Sequence, residues 1–218
     1  MCGRFTLATS TELIERELGI GIEGWKPSYN IAPAQHVLAV VGTDDGRKAG
    51  LLKWGLIPSW AKDLKIGHKM INARSETVDE KPSFKRLLSR RRCLIIADSF
   101  YEWKRVGKEK FPYRITVNDG NVFTFAGLWD RWRHNKEEIV TCTILTTKPN
   151  QLMSSIHDRM PVILEEEKRK YWLDKEVEDR KYLKSLLMPY SANDMSAHPV
   201  SKAVNNPGNN DQSLIEKV

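Results

Sequence analysis

Apolar positions fall in short runs along this chain, separated by breaks rich in Gly, Asn, Asp and Pro. Short runs bounded by such breaks read as strands, and apolar positions three to four residues apart read as helices. Thr9 and Glu12 have capping-box spacing ahead of Leu13, Ile14 and Leu18, which predicts an amphipathic helix ending at Gly19. Residues 21–33, rich in Gly, Pro and Asn, read as loop. Residues 37–41 predict a strand, and the turn Asp44-Asp45-Gly46 leads to its hairpin partner at 51–54. Residues 82–92 predict a helix with a basic end, and the continuous apolar run 93–97 a strand at a sheet centre. Residues 111–117 and 122–128, flanking Asn118-Asp119-Gly120, predict the clearest hairpin of the chain. Further strands are expected at 139–145, 160–164 and 195–200, and further helices at 149–156, 165–172 and 179–188. The sum is an α+β class: a mainly antiparallel, barrel-like sheet with peripheral helices. No repeat or linker interrupts it, so one domain over 1–218 is expected, with a polar C-terminal tail from about 205.

Residues 55–80 break the pattern. That is long for a structureless loop in a compact domain, and such loops are usually functional or disordered. Its content (Trp60, Lys62, Lys65, His68, Lys69, Asn72, Arg74) argues for function.

Composition narrows the classes. With 40% hydrophobic and 29% charged residues the chain has the make-up of an ordinary soluble globule. No apolar run reaches membrane-spanning length and no signal peptide opens it, so a cytoplasmic protein without a membrane partner is expected. The formal charge of +7 favours a polyanionic partner, nucleic acid first. Cys2, Cys93 and Cys142 are widely spaced with no CxxC, which argues against a disulfide framework or a cysteine-rich zinc site. The five histidines lack metal-ligand spacing, so no metal and no cofactor are expected. Nothing demands more than a monomer.

The chemistry centres on Met1-Cys2. Initiator methionine is normally removed before a small residue, and its loss would leave Cys2 with a free α-amine beside its thiol. Such a 1,2-aminothiol condenses with an aldehyde to an imine and then closes a five-membered thiazolidine. The unperturbed pKa values, about 8 and about 8.5, leave both groups partly deprotonated near neutral pH. A cysteine on a frayed terminus would mean nothing, so partners elsewhere must support it. Glu102 follows the apolar 93–97 run among aromatic residues, where desolvation makes a carboxyl a usable acid or base. Alternatively, it pairs with Lys104 on a solvent face. His157 lies between a predicted helix and strand, suited to proton shuttling or to a backbone hydrogen bond at a helix end. Asn72 could hold a backbone amine or carbonyl and Arg74 a phosphate, or both could sit on a solvated turn. Trp54, Trp60 and Trp103, interleaved with Lys and Arg, suit single-stranded nucleic acid, although tryptophan is commonly core. The cluster Arg86, Arg90, Arg91, Arg92 complements a helix C-terminus.

Seven segments then occur in one order: Met1-Cys2-Gly3-Arg4-Phe5, Tyr29-Asn30-Ile31-Ala32-Pro33, Trp54-Gly55-Leu56-Ile57-Pro58-Ser59-Trp60, Ile71-Asn72-Ala73-Arg74-Ser75-Glu76, Phe100-Tyr101-Glu102-Trp103, Ile156-His157-Asp158-Arg159-Met160-Pro161 and His198-Pro199-Val200-Ser201. In order and spacing they resemble the SRAP family, the SOS-response-associated peptidase-like proteins, from Cys2 to about Val204. The resemblance implies a DNA-damage role: recognition of abasic sites in single-stranded DNA and covalent capture through the N-terminal cysteine as a protective thiazolidine. It implies Cys2 as nucleophile, Asn72 orienting the Cys2 backbone, and Glu102 holding or deprotonating the α-amine. It implies His157 assisting sugar ring opening and proton transfer. It places Arg4, Arg74 and Arg159 at phosphate-contacting positions, and Pro33 and Trp60 near the bases. The imine also brings abasic-site lyase chemistry within reach. One departure is Ser83, where some relatives carry a bulkier apolar residue, and serine is a poor wedge between bases. Two alternatives stand beside this reading: a cysteine peptidase or N-terminal-nucleophile amidohydrolase built on Cys2, His157 and Asn72, and a non-enzymatic single-strand binding module.

Overall fold

A computed structural model describes residues 2–218; Met1, whose removal the aminothiol requires, lies outside them. In chain order the elements are β1 (Arg4–Leu7), α1 (Thr11–Leu18), β2 (Ser28–Ile31), β3 (His36–Thr43), β4 (Gly46–Trp54), β5 (Asn72–Arg74), α2 (Pro82–Arg90) and β6 (Arg92–Ala97). They continue as β7 (Ser99–Val106), β8 (Glu109–Val117), β9 (Phe123–His134), β10 (Glu137–Thr147), α3 (Gln151–Ser154), β11 (Met160–Pro161), α4 (Glu166–Leu173), α5 (Arg180–Ser185) and β12 (Met195–Pro199).

Five strands close on themselves in the order β10-β4-β3-β6-β9, with β9 pairing back onto β10. The β4–β10 contact is parallel, and the other four pairings of this ring are antiparallel. Closure leaves no edge inside the ring. The apolar run 93–97 of β6 is buried at every position, as a continuously apolar strand must be in such a sheet. A second, antiparallel sheet has the order β12-β8-β7-β1-β2. Aromatic rings lock the two sheets together: Phe5 of β1 lies 5.2 Å from Trp54 and 5.6 Å from Phe125, and Phe100 of β7 lies 6.0 Å from Phe125. The tilted and edge-on geometries are those aromatic quadrupoles favour. The barrel-like α+β class expected above is therefore the one observed.

Several local expectations need correction. The runs 111–117 and 122–128 do not pair with each other: β8 joins β7 and β12 in one sheet, and β9 joins β6 and β10 in the other. The connecting Asn118-Asp119-Gly120 has positive φ throughout, and it hands the chain from one sheet to the next. Hairpin chemistry in the sequence specifies a sharp bend; the strands' other partners decide what pairs. Residues 21–33 are not all loop, because β2 pairs with β1. Thr9 is not the cap of α1. Ser10 is, accepting from Leu13 N, while Thr9 N and Oγ1 both donate to the buried Asp98 carboxylate. Trp54 is core, with its indole N–H on Ile71 O at 2.9 Å.

The irregular stretch 55–71 is pinned to the barrel. Gly55 N donates to Cys142 O (2.9 Å), Leu56 N to Met70 O (3.0 Å) and Ile57 N to Thr141 Oγ1 (2.9 Å). Gly55, at φ 123°, lies so close to the Gly67 backbone that a Cβ there would sit 2.7 Å from its carbonyl oxygen. Any other residue would force the backbones apart. This packing delivers β5 to its parallel pairing with Ile144, Leu145 and Thr146 of β10.

Candidate active site around Cys2

Cys2 sits at the head of β1, fully buried. The register of β1 on β7 runs Thr6↔Ser99, Phe5↔Phe100, Arg4↔Tyr101. One further step brings Glu102 to the same end of the strand, and Glu102 is 2% exposed. Asn72, at the start of β5, donates from Nδ2 to the Cys2 carbonyl oxygen at 2.9 Å. Its Oδ1 is buried with no hydrogen-bond partner among the described residues. An orphaned acceptor beside Cys2 is what an incoming N–H donor would satisfy.

Burial pushes the Cys2 thiol well above its ordinary range, and the negative charge of Glu102 pushes the same way. Both effects disfavour the thiolate. Burial also raises the Glu102 carboxyl, with His157 among the groups pulling it back. Glu102 thus lies within electrostatic reach of both Cys2 and His157.

His157 follows α3, which Asn150 caps by accepting from Met153 N at 2.9 Å. The His157 N–H donates to Met153 O (2.8 Å), closing the turn. Its ring Nδ1 lies 3.0 Å from the backbone N–H of Arg159 and 2.8 Å from Asp158 Oδ1. The first contact needs a lone pair on Nδ1 and the second a proton. Asp158 is 87% exposed, so its pull is screened, whereas the Arg159 amide is fixed by the chain. The Arg159 amide therefore sets the orientation of the ring.

The predicted DNA-contacting residues divide by exposure. Arg74 is exposed. Arg159 is largely engaged: its fork meets both Glu76 oxygens (2.7 and 2.9 Å), and Nη2 also donates to Thr146 O (2.6 Å). That bidentate pair holds the Glu76 carboxyl below its usual range. Arg4 donates from Nη1 to Asn30 Oδ1 and to Val204 O, both at 2.7 Å, and its guanidinium lies 6.0 Å from the Trp103 ring centre. Pro33 is half-buried, just before Ala34 at φ 72°. Trp60 is 60% exposed.

An open cleft of about 540 Å³ is lined by Glu102, Trp103, Arg105, Lys110, Ile156 and His157. Trp60 lines a different groove, about 280 Å³, with Ser83, Arg86, Arg90 and Arg91. Arg91 is paired there with Asp130. Arg92 lies away from both, buried with its guanidinium on the carbonyls of Leu88, Trp172 and Asp174. Among the described residues no three His, Cys, Asp or Glu gather to hold a metal, and no helix is long and apolar enough to cross a membrane.

The sequence pattern did not single out Asn30 as a site residue, nor Asn205, whose Oδ1 accepts from Trp103 Nε1 at 2.7 Å. Asn30 is 1% exposed although it lies in a stretch read as loop, and only a buried asparagine there would have marked it.

The fold places the chain in a class of known structure. It matches a crystal structure of a protein from Bacteroides thetaiotaomicron with a TM-score of 0.90 at 26% identity, covering 100% of both chains. Residues 1–207 match the family described as SOS response associated peptidase (SRAP), and the chain belongs to that family. It is 53% identical over 222 residues to the abasic site processing protein YoqW of Bacillus subtilis, covering 99% of each. It is 33% identical to the abasic site processing protein YedK of Escherichia coli, covering 100% of each. It is 35% identical to the abasic site processing protein HMCES of Xenopus tropicalis, covering 85% of this chain and 64% of that one.

Proposed function

We propose that this chain processes abasic sites in single-stranded DNA by capturing them as a thiazolidine on Cys2, once Met1 has been removed. The observation that carries the reading is the anchoring of Cys2 by Asn72, with Glu102 and His157 around it. The names of its relatives supply the lesion.

The ring-closed abasic sugar must first open. A protonated His157 ring donates an N–H proton to O4′ as the C1′–O4′ bond breaks, and the C1′ hydroxyl gives its proton to water, which leaves the C1′ aldehyde and a neutral imidazole. The Cys2 α-amine then adds to C1′. Glu102 accepts the amine proton, and water departs to leave the imine. The Cys2 S–H adds across the C=N bond: sulfur bonds to C1′, the proton passes through Glu102 to nitrogen, and the ring closes. The balance is protein plus DNA minus one water, with no redox change. Burial that disfavours the thiolate favours this order, amine first and sulfur second. Ring closure removes the imine that β-elimination would need, so strand cleavage competes with capture. One copy of the chain suffices.

The peptidase reading is weaker on two counts. A cysteine peptidase needs a thiolate, and here burial and Glu102 both oppose one. It also needs its asparagine on the histidine, whereas Asn72 is spent on the Cys2 carbonyl.

The test is intact-mass analysis after mixing with single-stranded uracil-containing DNA treated with uracil glycosylase. The expected product has the mass of Met1-free protein plus DNA minus water. It should vanish with Cys2→Ser and with a tetrahydrofuran analogue, which has no aldehyde. A Met1-free protein giving no adduct would refute the proposal.

A further inference from the structure

The C-terminal residues, polar in composition, are stitched to the residues around Arg4 and Trp103. Asn30 Nδ2 donates to the carbonyls of Asn209 (2.8 Å), Asn206 (3.0 Å) and Val204 (3.4 Å). Its Oδ1 accepts from Arg4, which also reaches the Val204 carbonyl. Asn205 Oδ1 takes the Trp103 indole N–H. Farther on, Asn210 Oδ1 accepts from Tyr29 N (2.7 Å) and Ser28 Oγ (3.1 Å). Docking the tail does not require all of this. Buried Leu214 and the bridge between Val200 and Lys217 already hold it to the sheet. The Asn205–Trp103 bond lies at an exposed residue and adds little to the core.

We infer that residues 204–210 are a built wall of the DNA site, in which Asn30 and Asn205 are positioning residues that preset Arg4 and Trp103 for a nucleotide beside the lesion. The inference rests on the DNA-capture reading above. Trp103 lines the cleft that holds Glu102 and His157, and Arg4 lies across its ring. An indole fixed in plane offers a stacking face to a neighbouring base, and the adjacent guanidinium offers charge to its phosphate. Side chains of this length lose rotamer freedom on binding, and fixing them beforehand removes that cost. The indole cannot be fixed by packing alone, because it stands half-exposed at the cleft. A hydrogen bond to its single donor sets the plane.

The test compares Asn205→Leu, Trp103→Phe and the double variant with the unaltered chain. Two quantities are read: equilibrium affinity for a tetrahydrofuran-containing single strand, and adduct rate at saturating abasic DNA. Losing one positioning hydrogen bond is expected to weaken affinity about 3- to 10-fold in Asn205→Leu, with the saturating adduct rate unchanged. Trp103→Phe removes the same bond from the other side and leaves the tail intact. Because both variants delete one interaction, the double variant should be no weaker than Trp103→Phe. Unchanged affinity in Asn205→Leu would overturn the inference, and so would losses that multiply in the double variant. Equal loss of affinity and saturating rate, together with a lowered melting temperature, would assign Asn205 to general folding and also overturn it. If the unaltered chain itself neither binds the tetrahydrofuran strand nor forms an adduct, the parent reading falls instead.

Discussion

Asn72→Asp is the sharpest single perturbation of the Cys2 site. The side chains match in size, and β5 is held independently by its backbone pairing to Ile144, Leu145 and Thr146, so the strand stays in place. What changes is the group facing the Cys2 carbonyl, now 2.9 Å from an N–H donor. At neutral pH a carboxylate there sets one acceptor against another. Losing the bond and stranding the carbonyl costs about 1–3 kcal/mol, or about 5- to 150-fold if it falls on the placement of Cys2 for reaction. The adduct rate at saturating abasic single strand, followed by intact mass, should drop by that factor relative to the unaltered chain. The new carboxyl adds a second signature. On acidification it gains an O–H that can donate to the Cys2 carbonyl, so the deficit should shrink as pH falls. Asn72→Ala lacks any donor at every pH and should show no such recovery. An Asn72→Asp variant that reacts at the unaltered rate at neutral pH would refute the anchoring argument. So would a deficit that is the same at every pH.

Glu102→Gln should slow adduct formation yet raise the melting temperature at neutral pH. Burial raises this carboxyl above its unfolded value, so stability is present below the ordinary carboxylate range of about 4.3 and is lost as pH rises through the folded pKa. Equal melting temperatures at neutral pH would refute that sign. Glu76→Gln should destabilise the fold by about 1 kcal/mol at neutral pH, because it removes the charge opposite a well-buried Arg159. The Glu76 carboxyl is held low by Arg159, so this difference should disappear as pH falls through its folded pKa; melting curves of both proteins across acid pH check it. Arg74→Ala should flatten the dependence of log affinity on log salt by about 0.7 for single strands, measured by titration at several ionic strengths. Trp60→Ala should weaken binding of single strands about 5- to 150-fold without lowering the melting temperature, and an unchanged affinity would remove Trp60 from the DNA path.

What could be read from the sequence was local. The buried run at 93–97 and the stop of α1 at Gly19 follow from side-chain type and spacing, and the structure has them. Pairing was less legible. Asn118-Asp119-Gly120 marks a reversal in either case, and only the competing partners β12 and β10 decide that its flanking strands part. Thr9 and Ser10 are equally good caps by type; Asp98, about ninety residues away, takes Thr9 and leaves Ser10 to the helix. The contacts of the tail were illegible for a related reason. Its polar side chains and carbonyls look solvated until Asn30 and Trp103 arrive to use them.

The site itself is a seam phenomenon. Cys2 lies just ahead of β1 and Glu102 in β7 of the same sheet, Asn72 comes from β5 attached to the barrel, and His157 from the turn between α3 and β11. No spacing rule joins residues 2, 72, 102 and 157; the aromatic contacts of Phe5 with Trp54 and Phe125 do, by clamping β1 against the barrel. The same clamp buries the thiol, and that burial has a chemical consequence. Burial that disfavours the thiolate also disfavours oxidation and stray alkylation, which act on thiolates. Its reactivity would then emerge only when an imine forms on the adjacent amine, within ring-closing distance and beside a carboxyl able to take its proton. A reagent kept inert by burial and released by its own substrate fits a capture reaction better than hydrolysis with turnover, which needs its nucleophile ionised before substrate arrives.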